Sequence, residues 1–381
     1  MKWEKVKLGD IATFSNGINF NKTAYAKGIK LIGVSNFGDR FYPDYSQLQE
    51  VKKTIVRPED CLQNGDIVFV RSNGNKELVG RCMLVKNPTE QVTYSGFCIR
   101  ARLNDTDRYD PVYFTYYFKS KAFRRAVSGT AVGANIQNLS QARLSNHDCN
   151  VPDIETQHRI ADILSAYDDL IENNQKQIKL LEDAAQRLYK EWFVDLRFPG
   201  HENTKIVDGV PEGWSRGLLQ ELISVNYGKD HKKAPDDGNI PVYGSGGLMR
   251  KCNKSLFSGE AVLIPRKGSL NNIMYVDETF WTVDTMFYAT MKQPHTAVFV
   301  YFFVKAFDMY SMNIGAAVPS MTTKILDAMD VVIPDKETLE KFDKLTKTYF
   351  NKIKTLQGQN ERLKTARDLL LPKLMNGKVE V

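Results

Sequence analysis

A stripe of apolar residues runs through the middle of the chain at helical spacing. Apolar side chains recur every seven residues from Ile160, and a second set follows each of the first by four residues. This spacing predicts one long amphipathic helix. Asp153 is placed to cap its first turn, and Pro199 with Gly200 marks its end.

The same stripe occurs again 182 residues later in the chain. Asp153 then corresponds to Asp335, and the phase is kept over five heptads without an insertion, which indicates an internal repeat. The predicted seam residues are Ile160, Leu164, Tyr167, Ile171, Asn174, Ile178, Leu181 and Leu188 in the first helix, and Phe342, Tyr349, Ile353, Leu356, Asn360, Leu363 and Leu370 in the second.

Two asparagines interrupt the seam, Asn174 and Asn360, at positions that are not equivalent in the repeat. A single Asn in a coiled-coil seam costs stability but fixes register and orientation. We therefore expect the two helices to pack as an antiparallel pair that the asparagines align. The alternative is that each helix packs only on its own neighbouring module. A helix of about 37 residues spans about 55 Å, which is long for one small module.

The segments before the two helices are rich in Val, Ile, Tyr and Phe and are punctuated by Gly, Asn and Asp, which predicts short strands with turns. The fold class expected is α+β, with two β-rich modules, each followed by a long helix. The predicted boundaries are residues 1–152 for the first module, 153–196 for the first helix, 197–213 for a linker, 214–334 for the second module and 335–376 for the second helix.

Charge is distributed unevenly along the 381 residues, whose net charge is +7. Residues 1–152 hold 22 Lys and Arg against 14 Asp and Glu, whereas residues 199–334 are nearly neutral. A basic first module indicates a polyanionic partner. The five cysteines form no CxxC pair, no metal site is expected, and the N-terminus does not resemble a signal peptide. A reduced, cytoplasmic protein without a membrane span is expected.

Three short motifs resemble catalytic sites, and each has a simpler interpretation. Asp44, Glu50 and Lys52 imitate a nuclease motif, but their surroundings predict a polar loop. "DPVY" at Asp110 resembles a methyltransferase loop but fits a helix start better, because proline suits the first helical turn. "GSGG" at Gly244 predicts a flexible turn. The sequence therefore favours a binding protein over an enzyme.

The second half carries "IPVYGSGG" at Ile240–Gly247, "PRKGS" at Pro265–Ser269 and "FWTVDTMFY" at Phe280–Tyr288, followed by a helix that begins with "PD". Together with the doubled plan, these motifs resemble the specificity (S) subunit of type I restriction–modification systems. The resemblance covers essentially the whole chain, and the doubled plan is its most specific part.

The resemblance implies that each module is a target recognition domain reading one half of a bipartite DNA sequence. It implies that the two helices form an antiparallel spacer that docks two modification (methyltransferase) subunits, to which restriction subunits are added. It also implies that this chain is not catalytic and binds no cofactor, since S-adenosylmethionine belongs on the partner methyltransferase.

Base edges are read by Arg, Lys, Asn, Gln and Ser side chains in exposed loops, which selects two loop positions in each module. The predicted DNA-binding residues are Arg71, Ser72, Asn73, Asn75, Lys76, Thr130, Asn135, Gln137 and Asn138 in the first module, and Tyr243, Ser245, Arg266, Lys267, Ser269, Asn271, Ser320 and Thr322 in the second. Gln157, Asp168 and Glu172 of the first helix, with their counterparts on the second helix, are candidates for facing the methyltransferases.

Two other functions remain open at this point. One is a repeat-built scaffold whose modules bind proteins or glycans without reading DNA. The other is a nuclease that uses Asp44, Glu50 and Lys52. Salt-dependent binding to duplex DNA, together with co-purification of a methyltransferase-sized partner, separates DNA recognition from both.

Overall fold

The computed structural model describes residues 3–38, 40–75, 77–127, 137–312 and 320–381. These residues form two compact units. Unit 1 comprises Met1–Asn174 with Gly358–Val381, and unit 2 comprises Gln175–Gln357. Each unit therefore contains one β-rich module and a segment of both long helices.

Unit 1 is built on short, mostly antiparallel sheets. A four-stranded sheet has the spatial order Ala12–Asn16, Cys98–Leu103, Ile67–Val70, Cys82–Leu84. A three-stranded sheet has the order Gln49–Val51, Tyr25–Ile32, Val92–Tyr94, and its last pair is parallel. Two-stranded ribbons pair Trp3–Lys7 with Asp148–Pro152, and Ser72–Asn73 with Gln137–Asn138.

The described residues of this module also form four short α-helices: Leu8–Ile11, Pro111–Lys119, Lys121–Val127 and Gln141–Ser145. The helix Pro111–Lys119 begins as the sequence predicts, because the Asp110 side chain accepts a hydrogen bond from the Tyr113 amide at 2.6 Å. Its buried aromatic face packs on the four-stranded sheet and forms the main core of the unit.

Unit 2 contains one six-stranded sheet in the order Ile223–Tyr227, Met286–Met291, Phe257–Pro265, Met274–Thr282, Ile240–Gly244, Gly247–Cys252. The strand Ile240–Gly244 pairs in parallel with Met274–Thr282. A ribbon joins Ser215–Leu218 to Asp330–Ile333, and the helices of the module are Ala297–Lys305 and Thr323–Asp327. The segment predicted as a linker contains a small hairpin of Ile206–Val207 with Val210–Pro211.

The two long helices are Ile154–Tyr189, which continues into a π-helical turn at Lys190–Val194, and Lys336–Met375. Asp153 and Asp335 cap them, since each carboxylate accepts the backbone amide three residues later at 2.9 Å. None of the helices in the described ranges is long and apolar enough to cross a membrane.

Within unit 1 the two long helices run antiparallel. The Asn174 side-chain amide donates to the Asn360 side-chain oxygen at 2.9 Å, and seven positions further along the second helix Arg367 forms an ion pair with Asp168. Residue numbers therefore increase along one helix in the direction in which they decrease along the other. The α+β class and the antiparallel pair are confirmed, and the two asparagines meet at the seam.

Each long helix packs on both modules, so the alternative that each packs only on its own module is wrong. In unit 1, Ile160 and Leu164 of the first helix and Leu374 of the second belong to the core of the module. In unit 2, Trp192 and Phe342 pack together, with ring centroids 5.8 Å apart, within the core. All the predicted seam residues are buried or half-buried.

Asn174→Leu will destabilise unit 1, because it leaves the buried Asn360 side chain without its partner. The expected cost is about 1–3 kcal/mol in the free energy of unfolding. Asn174→Leu combined with Asn360→Leu will recover most of this loss, since leucines suit a seam. Thermal and urea unfolding will measure both variants. Asn173→Ala, at the exposed neighbouring position, is the control and will leave stability unchanged.

Candidate nucleic-acid interface

In unit 1 the two predicted loops come together in one ribbon. Ser72 and Asn73 pair in antiparallel fashion with Asn138 and Gln137, respectively. The Leu139 amide donates to the Arg71 carbonyl oxygen at 2.9 Å and extends the ribbon by one residue. Residues 64 positions apart in sequence are therefore neighbours on the same edge of the module.

Arg71 ties this ribbon to the tight turn at residues 95–97. Its backbone amide donates to the Phe97 carbonyl oxygen at 2.8 Å, and its Nη1 donates to the Gly96 carbonyl oxygen at 3.2 Å. The half-buried guanidinium is thus held in one orientation by the turn. Phe97 itself points outward and is 63% exposed. This arrangement presents a fixed cation beside an exposed aromatic ring.

Unit 2 repeats the arrangement with different residues. The Arg266 amide donates to the Thr285 carbonyl oxygen at 2.8 Å, and its Nη1 donates to the Asp284 carbonyl oxygen at 3.5 Å. The Met321 amide donates to the Arg266 carbonyl oxygen at 2.9 Å, and a β-bridge joins Lys267 to Ser320.

These contacts define what we name the arginine frame. It comprises residues 71–73, 95–97 and 137–139 in unit 1, and residues 266–267, 283–285 and 320–321 in unit 2. The turns also match, because the Ser95 amide donates to Ile32 and the Val283 amide to Tyr243, both at 3.0 Å. Arg71 and Arg266 therefore occupy equivalent positions, which short sequence motifs alone only suggested.

The frame of unit 2 carries two cations, an exposed Lys267 and a half-buried Arg266. Lys267 is exposed and, among the described residues, forms no side-chain hydrogen bond or ion pair. The Arg266 guanidinium lies 5.4 Å from the centre of the exposed Tyr227 ring, a cation–π arrangement. An exposed Lys and a stacked Arg are suited to phosphate and base contacts.

Several predicted residues in unit 2 have structural hydrogen bonds. The Tyr243 hydroxyl donates to the Glu278 carboxylate at 2.5 Å. Its burial, and to a smaller extent this hydrogen bond, raises the pKa of the hydroxyl. Asn271 bridges Asp308 and the Met309 amide, and Thr322 caps the helix Thr323–Asp327. These side chains shape the loops around the frame.

The other predicted residues that the structure describes lie at or near the two frames. In unit 1, Asn73 and Asn75 form successive turns, each accepting the backbone amide two residues later. In unit 2, Ser245 lies against Gly268, where an added Cβ would lie 2.6 Å from its hydroxyl, and Ser269 is exposed nearby. Lys76, Thr130 and Asn135 lie outside the described residues, as does the side chain of Gln137.

The prediction that Gln157 and Asp168 of the first helix face a partner is wrong, because both side chains are buried. Gln157 is buried, accepting from the Asp110 amide and donating to the carbonyl oxygens of Arg108 and Pro152. Asp168 is buried between the Tyr116 hydroxyl and Arg367. Glu172 is half-buried. Gln157 therefore faces the module, and Asp168 faces both the module and the other helix. Protein groups satisfy the hydrogen bonds of these buried side chains in place of water.

The nuclease-like motif has structural roles. The Glu50 carboxylate accepts the Gly28 amide at 2.7 Å, and Asp44 caps the turn Tyr45–Gln47. Lys52 is exposed, on the chain just after the strand Gln49–Val51. In the described part of the chain, no group of three or more His, Cys, Asp or Glu residues is placed to hold a metal ion.

Sequence comparison finds relatives of this chain among type I restriction enzyme specificity subunits. The chain is similar to the type I restriction enzyme MjaIX specificity subunit of Methanocaldococcus jannaschii, at 26% identity over 344 residues, covering 80% of this chain and 76% of that protein. It is also similar to the HindI specificity subunit of Haemophilus influenzae, at 24% identity, covering 99% of both chains.

Among solved structures, the S subunit of a type I restriction–modification system from M. genitalium shares the fold, with a TM-score of 0.58 and 18% identity over 98% of this chain and 96% of that one. A family model described as the type I restriction modification DNA specificity domain matches residues 1–183 and 211–365. The chain therefore belongs to the family of type I restriction–modification DNA specificity subunits.

Proposed function

We propose that each unit of this specificity subunit reads one half of a bipartite DNA target through its arginine frame. The observation that carries this proposal is the occurrence of the same frame in both units, built from different residues around Arg71 and Arg266. A guanidinium fixed by a turn carbonyl retains further N–H donors for a guanine edge or a phosphate. The exposed residues beside it differ between the units, which suits the reading of two different half-sites.

Members of this family recognise DNA and are not themselves catalytic. We propose that methylation and cleavage belong to two modification subunits and to restriction subunits that assemble on this chain in the cytoplasm, where its DNA target is. S-adenosylmethionine would then be bound by the modification subunit. The motifs of this chain that imitate catalytic sites serve instead as caps and strand contacts.

The long helices offer equivalent apolar positions for two copies of one partner. Ile163 in unit 1 and Leu345 in unit 2 are related by the 182-residue repeat, and both are exposed although large and apolar. Exposed apolar side chains on a helix often mark protein contacts. Two equivalent positions fit the docking of two methyltransferase subunits.

Sequencing of methylated sites in a host that carries this chain with its partners tests the proposal. The expected sites contain two constant blocks separated by a constant gap. Inserting four residues after Gln175 and four more after Gly358 extends both helices at matched positions. The gap is then expected to grow by about one or two base pairs, since four helical residues rise about 6 Å and each base pair about 3.4 Å.

The control for the insertion is four residues placed at Asp208–Gly209, the tip of the small hairpin, where the gap should not change. Altered blocks with an unchanged gap in the helix variant would contradict the role of the helices as a spacer. Methylation without any sequence preference would contradict the proposed function itself.

A further inference from the structure

Unit 1 contains a cleft beside its arginine frame that short motifs do not reveal. Its volume is about 550 Å³. It lies between residues 18–25, residues 33–36, the turn at 95–97, and the side chains of Gln47 and Gln49. The parallel pairing of Tyr25–Ile32 with Val92–Tyr94 brings these separate segments together. We name it the amide cleft, after Asn19, Gln47 and Gln49.

The polar groups of the amide cleft are mainly neutral amides. Asn19, Gln47 and Gln49 are exposed, and within the described residues their side chains form no hydrogen bonds. Gln47 and Gln49 share one face of the chain, because the residue between them turns toward the core. The lining, which is drawn wholly from described residues, contains Lys22 and no Asp or Glu. A cleft with free amides and no carboxylate is compatible with an anionic ligand such as DNA.

The cleft is continuous with the arginine frame. Phe97 belongs both to the lining of the cleft and to the turn that Arg71 holds. Gly96 approaches Asn19 so closely that a Cβ added there would lie 2.0 Å from the Asn19 side-chain oxygen. A duplex bound at the frame would therefore also lie along the mouth of the cleft.

Unit 2 has different chemistry at the same place in the fold. Gln49 pairs with Leu31 as Arg250 pairs with Val242, so Gln49 and Arg250 are equivalent. The Arg250 guanidinium donates hydrogen bonds to the Asp236 carboxylate and to backbone carbonyl oxygens. The preceding Leu248 and Met249 are 60% and 53% exposed. The backbone framework is shared, whereas the side chains that face outward are amides in one unit and apolar in the other.

We propose that the amide cleft determines part of the specificity of the first half-site by reading an A·T base pair. Asn and Gln amides match the adenine edge, to which one amide can donate and accept together, and an exposed Phe suits contact with the thymine methyl group. Gln47 and Gln49 then read adenine, and Phe97 contacts thymine. The inference rests on the proposed function, because it assigns bases to a surface that the arginine frame places against DNA.

The test uses the complete complex with its methyltransferase partners. The substrate is a library of duplexes whose first half-site is randomised and whose second half-site is fixed, and sequencing after methylation gives the preference at each position. Gln47→Ala combined with Gln49→Ala is expected to lower the preference for A at one or two positions about tenfold or more. Phe97→Ala should weaken the preference for thymine at the same base pair.

Gln91→Ala is the matched control, since Gln91 is an exposed glutamine of the same unit outside the cleft, and it should leave the preference unchanged. Gln49→Glu repeats the test with little change in volume. A carboxylate accepts from the cytosine amino group, so the preference should move from A toward C.

An unchanged preference in both the double alanine variant and Gln49→Glu would overturn the inference, as would a wild-type first half-site without an A·T pair. The proposed function would survive both results, because Arg71 and the rest of the frame would still read the half-site. Loss of sequence preference in the wild-type complex itself would instead contradict the proposed function.

Discussion

Replacing residues 1–152 with the corresponding module of another family member will change one half of the DNA target and leave the other half as it is. The physical reason is that unit 2 builds its own frame around Arg266 without any residue of the first module. Half-site recognition in each unit then depends on local contacts. Sequencing of methylated sites before and after the exchange measures both halves in one experiment.

The junction for this exchange follows from the structure. The strand Asp148–Pro152 pairs with Trp3–Lys7, so a cut before residue 152 would separate the two strands of a ribbon. Asp153 caps the helix and should stay with the recipient. The donor module must also provide partners for Gln157 and Asp168, which are buried against the segment 108–116.

The reciprocal exchange of the second module is the control, and it should change only the other half-site. A change of both halves by either exchange would contradict independent reading. If the exchanged chain loses recognition of both half-sites and also loses its thermal unfolding transition, the donor module has failed to pack at the buried junction. A donor that has Tyr at the position of Tyr116 repeats the test, because the partners of Gln157 at residues 108 and 110 are backbone groups.

Asp168→Ala will destabilise unit 1 by about 3 kcal/mol, near the lower end of the range for breaking a buried ion pair. The carboxylate accepts from the Tyr116 hydroxyl at 2.6 Å and forms an ion pair with Arg367, so it joins the module to both long helices. Removing it leaves the Arg367 guanidinium, whose side chain is 14% exposed, with the exposed Asp368 as its only ionic partner among the described residues. Urea unfolding of the purified complex will measure the loss.

Asp169→Ala is the control for this substitution. Asp169 is exposed on the next position of the helix, and its removal should change stability by less than about 0.5 kcal/mol. Asp168→Leu combined with Arg367→Met and Tyr116→Phe should restore much of the stability, because apolar residues then replace the ion pair and the hydroxyl that donates to it. Equal stability of Asp168→Ala and the wild type would show that solvent already screens this carboxylate.

Unit 2 uses aromatic packing at the corresponding junction. The repeat relates Asp168 to Phe350, and the helix Pro111–Lys119 to Ala297–Lys305, which places Phe302 at the position of Tyr116. The rings of Phe302 and Phe350 are 6.3 Å apart. The same helix crossing is therefore polar in unit 1 and apolar in unit 2.

The long helices were predictable from sequence because their signals are local. A seven-residue period, a capping Asp and a terminal Pro-Gly pair lie within one continuous segment, and the repeat doubles each signal. The antiparallel pairing and the role of Asn174 and Asn360 in its alignment also followed, whereas the hydrogen bond between the two amides is seen only in the structure.

The details of the interface were less predictable because they depend on contacts distant in sequence. In the sequence, Gln47 and Gln49 belong to a predicted polar loop, and only the folded structure places them in the same cleft as Phe97. Arg71 gave a local signal as a cation in a loop predicted to be exposed, but its bond to the Gly96 carbonyl oxygen gave none. Asp168 lies outside the apolar stripe, and only its contact with a distant tyrosine shows that it is buried.

The hydrogen bond between Asn174 and Asn360 influences which long helices pair with each other. In the register of unit 1, two copies of the first helix would place Asn174 opposite Ile178, and two copies of the second would place Asn360 opposite Leu356. Each such homodimer would bury two unpartnered amides, at about 1–3 kcal/mol apiece. The hydrogen bond thus favours pairing of the two unlike helices over pairing of two identical ones.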